Sequence, residues 1–177
     1  MQTAPTILTS LAHIFEYPQS NYLENVYAAR NLCGSAAGEE IELFAKSLAG
    51  QSVHDLEELF TRTFDINPVA SLEVGWHIYG EQYERGTFLV NMRARLRDRG
   101  IEEGTELPDH LTSVLRLLAA LDAEEAAALS SQFLLPALKK IQEPLAAKKN
   151  PYSHAVEAVS LIVEEMFIAE EGVQHHV

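Results

Sequence analysis

Hydrophobic residues along this chain recur at intervals of three and four positions, the spacing that places side chains on one face of a helix. Strict alternation of apolar and polar residues, which indicates a half-buried strand, is not the prevailing pattern in any long segment. The clearest stripes fall within residues 7–15, 22–27, 41–48, 53–64, 111–121 and 156–167. The pattern therefore predicts an all-α protein.

Capping residues and helix breakers place the helix boundaries. Ser52 and Asp55 have the spacing of a capping box, and Asp122 is followed three residues later by an acid in the same way. Residues 71–99 contain no proline and Gly100 follows them, so we expect one long central helix of about eight turns. Its interior glycines, Gly75, Gly80 and Gly86, predict close approach of a neighbouring element or a bend, with close packing the simpler reason.

A chain of 177 residues can bury one self-sufficient core. We expect residues 1–177 to form a single-domain helical bundle of about eight helices, with 172–177 as a frayed tail. The 26 acidic residues exceed the 13 basic ones and give a net charge of −13, which disfavours nucleic acid and anionic membranes as partners and favours a basic partner.

The composition also predicts a location. Cys33 is the one cysteine, so no internal disulfide can form and a reducing cytoplasm fits best. The N-terminal apolar stretch lacks a preceding basic region, and no apolar run reaches the roughly 18 residues that a membrane span needs. We therefore expect a cytoplasmic protein without direct membrane insertion.

Motifs that would carry catalysis are missing. The sequence has no Glu-x-x-His pair, no HExxH, no GxSxG and no phosphate-binding loop. Cys33 lies among small residues without a histidine nearby and is expected to be inert. We expect a protein that is not an enzyme, with no catalytic residues, no metal and no cofactor of its own.

Two stretches could form a binding surface. Trp76, Tyr79 and Tyr83 fall on one side of the predicted long helix, where they form either core or a half-wet groove that grips another protein, while Glu81 and Arg85 are spaced as an ion pair.

The second stretch is "TELPDHL", residues 105–111, directly before an apolar helix. Asp109 is predicted to cap that helix, and Glu106 lies near the same positive helix end. A cap does not require His110, so a groove rim and an acid-base pair both remain open.

Several of these stretches together resemble a known family. Residues 60–121, with "TFD", Pro68, Ser71, "YGEQYERG" and "ELPDHL", and the earlier "LAHIFEYP" resemble NarJ-type nitrate reductase assembly chaperones within the TorD/DmsD/NarJ family. The resemblance covers roughly two thirds of the chain.

The resemblance implies a cytoplasmic, all-helical chaperone for the catalytic subunit of a molybdenum respiratory oxidoreductase, most simply nitrate reductase. Such chaperones bind the N-terminal segment of that subunit during cofactor insertion, before membrane docking or export, and can act with the insertion machinery. The molybdopterin guanine dinucleotide belongs to the client enzyme. The motif carried over is Glu106, Pro108, Asp109 and His110, at the edge of a peptide groove that Trp76, Tyr79 and Tyr83 line by analogy.

The same residues allow two other interpretations. One is a small helical enzyme with His110 and Asp109 as an acid-base pair, and the other is a generic helical adaptor. A histidine at the groove edge also predicts that client binding depends on pH near neutrality.

Overall fold

The computed structural model describes residues 3–169, and their regular secondary structure is helical apart from one isolated β-bridge. The α-helices are α1 (Ala4–Ile14), α2 (Tyr22–Leu32), α3 (Ser35–Leu48), α4 (Val53–Phe60), α5 (Val74–Tyr79), α6 (Glu84–Asp98), α7 (Leu111–Leu118), α8 (Ala123–Leu129), α9 (Leu135–Ala147) and α10 (Tyr152–Phe167). A π-helical turn, Thr61–Asp65, extends α4, and another, Ser130–Leu134, joins α8 to α9. The all-α prediction is confirmed.

One hydrophobic core joins the two ends of the chain. Helix α10 packs against α3 and α9, and α1 packs against α2 and α7. Tyr152 at the start of α10 lies among aromatic rings, 4.7 Å from Phe64 and 4.9 Å from Phe44 between centroids. Its hydroxyl oxygen is 2.8 Å from that of Tyr22, which donates to the Ile14 carbonyl at 2.6 Å.

The shared core agrees with a single domain over the described residues. The proposed domain limits of 1–177 stay a prediction, and the tail at 172–177 lies outside the described residues.

The prediction of one long helix over residues 71–99 is wrong. Helix α5 ends at Tyr79, and the chain turns through Gly80 before α6 starts at Glu84. Gly80 has φ of 57°, a left-handed conformation that favours glycine, and its N–H donates to the Trp76 carbonyl at 2.8 Å. A stretch without proline can therefore still contain a helix end.

The other boundary signals agree better with the structure. The Ser52–Asp55 capping box forms, Asp122 caps α8, and Gly100 has φ of 67° just beyond α6. Close approach is confirmed at Gly75, where an added Cβ would lie 2.7 Å from a carboxylate oxygen. At Gly86 close approach is wrong, because an added Cβ would meet no atom within 4 Å outside the backbone of its own helix and its chain neighbours.

Candidate functional site

A short antiparallel bridge clamps the start of α5 to the start of α7. Glu73 pairs with His110, the Val74 N–H donates to the Asp109 carbonyl at 2.9 Å, and the Leu111 N–H donates to the Leu72 carbonyl at 2.8 Å. The bridge brings the two stretches singled out in the sequence, one around residue 76 and the other around residue 109, side by side.

Asp109 is fully buried behind this bridge. Its Oδ2 accepts the Gly75 N–H at 2.9 Å and lies 3.5 Å from Arg85 Nη2. Burial raises the pKa of Asp109, while the Arg85 charge and the Gly75 N–H oppose that rise. Asp109 therefore binds the first turn of α5 and the Arg85 side chain, and the prediction that it caps the helix starting at Leu111 is wrong.

His110 takes the capping role instead. Its Nδ1 accepts the Thr112 N–H at 3.3 Å and lies 2.8 Å from the Thr112 hydroxyl. An accepting Nδ1 leaves the proton of the neutral ring on Nε2. Burial lowers the pKa of His110 to about 4, with Arg116 adding to the effect and Glu73 opposing it. The predicted pH dependence near neutrality is not supported for His110, because the ring is neutral there.

A pocket of about 400 Å³ opens beside the bridge. Its walls come from the end of the π turn after α4, the loop before α5, α5 and α6, and the loop before α7. The lining residues are Phe64, Asp65, Pro68, Ser71, Leu72, Glu73, Trp76, Arg85, Glu106 and His110. Three carboxylates face one guanidinium, and the histidine is neutral near pH 7, so the pocket carries a net negative charge.

Trp76 is fixed in the pocket wall by polar contacts. Its indole N–H donates to the Pro68 carbonyl at 3.1 Å, and the Arg85 guanidinium carbon lies 5.7 Å from the centre of its ring. Arg85 Nη2 also lies 3.9 Å from a carboxylate oxygen of Glu73, which accepts the Ser71 hydroxyl at 2.6 Å. Arg85 is thus shared between Glu73, Asp109 and the aromatic face.

The other two aromatic candidates lie outside the pocket lining. Tyr79 packs against Phe88 and Phe133, at centroid distances of 5.7 and 6.4 Å, and Tyr83 lies in the turn between α5 and α6 with 89% of its surface exposed. The expectation that Trp76, Tyr79 and Tyr83 share one helix side is wrong, because the helix breaks at Gly80.

The predicted ion pair of Glu81 with Arg85 is also wrong. Arg85 makes its ionic contacts with Glu73 and Asp109.

The carried-over motif divides between the pocket and the interior. Glu106 is exposed and lines the pocket with His110, whereas Pro108 and Asp109 are buried. Sequence reasoning missed Asp65 and Glu73 as pocket residues. Asp65 is the last residue of the family-like stretch "TFD", which could have marked it as a candidate. No local feature of the sequence showed that Asp65 would line the same pocket as Glu106.

The arrangement does not support an acid-base pair. The Asp109 side chain contacts Gly75 and Arg85, while Nδ1 of His110 caps α7. Burial also raises the pKa of the Cys33 thiol to about 11, which disfavours the reactive thiolate. Within residues 3–169, no helix has the length and apolar character needed to cross a membrane.

The fold and the site define an all-helical protein with an acidic pocket beside a β-bridge that joins two distant segments of the chain. The family model described as "Nitrate reductase delta subunit" matches residues 32–157, and the chain belongs to this family. That range includes every residue lining the pocket.

Two relatives agree with this assignment. The nitrate reductase molybdenum cofactor assembly chaperone NarJ of Escherichia coli (strain K12) is 29% identical over 127 residues, covering 67% of this chain and 53% of that protein. A probable chaperone of the same name from Bacillus subtilis (strain 168) is 30% identical over 97 residues, covering 54% and 53%.

The chain thus spans about half the length of the curated relatives it matches. The family resemblance seen in the sequence is confirmed. The relatives are named as assembly chaperones, which supports the prediction of a protein that is not an enzyme.

Proposed function

We propose that this protein is a chaperone for the catalytic subunit of a molybdenum oxidoreductase, most simply nitrate reductase. It binds the N-terminal segment of that subunit in the cytoplasm and assists insertion of the molybdenum cofactor before the subunit docks at the membrane or is exported. The cofactor belongs to the client, and the chaperone passes the client to the insertion machinery without holding a cofactor itself.

The observation that carries this proposal is the family match over residues 32–157, together with relatives named for molybdenum cofactor assembly. The pocket lies entirely within the matched range. In this proposal Glu106, His110 and Trp76 face the client directly, whereas Pro108 and Asp109 hold the pocket in shape. Tyr83 is exposed beyond the pocket and can extend the contact surface, and Tyr79 supports α5 from behind.

Charge gives the proposal physical support. The protein has a net charge of −13, and the pocket walls carry more carboxylates than cations. A basic, amphipathic client segment would be attracted by this field and then held by apolar contacts.

Calorimetry with a synthetic peptide tests the binding step. The peptide is the N-terminal segment of the nitrate reductase catalytic subunit from the same genome, and a scrambled peptide of equal composition is the control. We expect saturable binding of the native peptide. Failure of the full chain to bind that segment, or equal binding of the scrambled peptide, would refute the peptide-binding role and leave a generic adaptor as the better description.

A matched pair of variants locates the binding site. Glu106→Gln removes a carboxylate that lines the pocket, whereas Glu102→Gln removes an exposed one from the same loop outside the lining. A rim charge contributes about 0.2–1 kcal/mol, so Glu106→Gln should weaken binding up to about fivefold and Glu102→Gln much less. Equal weakening by both variants would place binding elsewhere.

A cellular measurement tests the assembly step. Cells lacking this protein should accumulate the nitrate reductase catalytic subunit with a low molybdenum content, and the wild-type gene should restore it. The Glu102→Gln variant should restore it equally well. A catalytic subunit that is fully loaded with molybdenum in the deletion strain would contradict the assembly role.

A further inference from the structure

Three exposed apolar residues are chain neighbours of residues that line the acidic pocket, and we call these three residues the rim. Ile66 is 73% exposed, Val69 60% and Leu107 40%, and each directly follows in sequence a residue that lines the pocket. Single exposed apolar residues are ordinary, but three that each adjoin a lining residue of one charged pocket favour a surface that contacts a partner. The rim thus favours apolar groups next to the group that enters the pocket.

Inside the rim, the carboxylates lack a matching number of cations. Arg85 is the one cationic side chain in the lining, and its Nη2 points toward Asp109 and Glu73, at 3.5 and 3.9 Å. Asp65 and Glu106 stand on the remaining walls. Partial burial raises the pKa of Asp65, and repulsion from Glu106 and then Glu73 raises it further. An added positive charge would relieve that repulsion.

His110 supplies a second, independent feature of a binding site. The residue is only 8% exposed, yet it is among those that line the pocket. Nδ1 is used by Thr112, and Nε2 has no hydrogen-bond partner within residues 3–169. The neutral ring therefore offers one N–H donor at the pocket wall, which suits an uncharged acceptor such as a peptide carbonyl.

We propose that the pocket anchors one cationic side chain, arginine or lysine, of an extended client segment. The charged end lies between Asp65 and Glu106. His110 Nε2–H donates to a carbonyl of the segment beside that cation. Apolar client residues flanking the cation cover Ile66, Val69 and Leu107. This inference rests on the proposed function and specifies the recognised pattern, a basic residue between apolar ones.

A double-mutant cycle tests this anchor. On the peptide side, each basic residue of the N-terminal segment is replaced in turn by a neutral counterpart, citrulline for arginine and norleucine for lysine. On the protein side, Asp65→Asn combined with Glu106→Gln removes the two wall charges. We expect the neutral replacement at one peptide position to lower the affinity for the wild-type protein about tenfold, equal to about 1.4 kcal/mol. The same replacement should lower the affinity for the double variant less than about twofold.

A second double variant, Asp98→Asn with Glu102→Gln, changes the net charge equally. Both residues are exposed and lie outside the pocket lining. It should keep the full tenfold difference at the same peptide position, which separates local pairing from general attraction. Far-ultraviolet circular dichroism and thermal unfolding of each variant establish that the fold is retained.

The outcomes distinguish this inference from the proposed function. If the wild-type protein binds the peptide but no basic position couples to Asp65 and Glu106, the anchor is refuted and the chaperone role stands. The anchor also fails if the control variant reduces the difference equally. If the wild-type protein binds no client peptide, both proposals fall.

Discussion

The buried histidine at the start of α7 makes a testable contribution to stability. The unfolded chain protonates His110 near its ordinary pKa of 6.5, whereas the folded protein does so only near 4. Between these values the unfolded chain binds the proton more tightly, so acid favours unfolding. The contribution is fully present above about pH 6.5 and is lost progressively as pH falls toward 4, amounting to about 3 kcal/mol in total.

His110→Asn removes this titration while keeping a cap. The asparagine amide oxygen can accept the Thr112 N–H, and asparagine is among the preferred residues at this position. Between pH 7 and pH 5 the wild-type protein should lose about 2 kcal/mol more unfolding free energy than the variant. His77, whose pKa burial also lowers, is present in both proteins and cancels in the comparison.

Urea unfolding monitored by circular dichroism at several pH values measures this difference. His54→Asn is the control, since it removes a histidine that is 76% exposed on α4, and it gives the reference for removing an exposed histidine. If wild-type protein and His110→Asn lose equal stability between pH 7 and pH 5, then His110 is not held neutral by burial and the electrostatic account of the pocket wall fails.

Five further substitutions test the backbone geometry and the buried carboxylate. Gly75→Ala should lower the unfolding free energy by about 1–3 kcal/mol, because its Cβ would lie 2.7 Å from Asp109 Oδ2, whereas Gly86→Ala should raise it by about 0.5–1 kcal/mol. Asp109→Ala should cost about 3 kcal/mol, since it leaves the buried Gly75 N–H without its acceptor and removes the nearer of the two carboxylates beside Arg85. Asp109→Asn should cost less. Lys149→Gly should stabilise by about 1 kcal/mol, because Lys149 has φ of 52°. Urea unfolding near pH 7 measures all of them.

Each of these has a clear contrary result. Equal stability of the Gly75→Ala and Gly86→Ala proteins would show that the carboxylate gives way without cost. An Asp109→Ala protein as stable as wild type would mean that Arg85 finds another partner. Destabilisation by Lys149→Gly would show that the lysine side chain makes a contact that outweighs its backbone strain.

The helical fold was predictable because it depends on short-range periodicity. Apolar residues three and four positions apart must share a helix face wherever the helix lies in the molecule. The end of α5 was not predictable in the same way. An interior glycine lowers helix stability by about 1 kcal/mol relative to alanine wherever it stands in the helix. Only the tertiary packing decides whether the helix bends, ends or continues at that glycine. Helix α5 ends just before Gly80, whereas α6 continues through Gly86, although no local sequence signal distinguishes the two glycines.

The pocket was less predictable because long-range pairing builds it. Asp109 satisfies the local rule for a cap of α7, yet it bonds to Gly75, 34 residues earlier in the chain. With Asp109 held in that contact, the neighbouring His110 caps α7 instead. No spacing rule within one segment could show this exchange, or that Asp65 would face Glu106.

The division within "ELPDHL" decides how mutations of this motif should be interpreted. Asp109 cannot touch a client, since it is fully buried, but its removal weakens the contacts that hold α5 and Arg85 beside the pocket. A loss of client binding in Asp109→Ala would therefore follow equally from a distorted pocket or from partial unfolding. Glu106 is exposed in the pocket wall, so Glu106→Gln changes the charge presented to the client while leaving the bridge intact. If Glu106→Gln binds as tightly as wild type while Asp109→Ala does not, the motif is an element of stability, and recognition of the client must be sought on another surface.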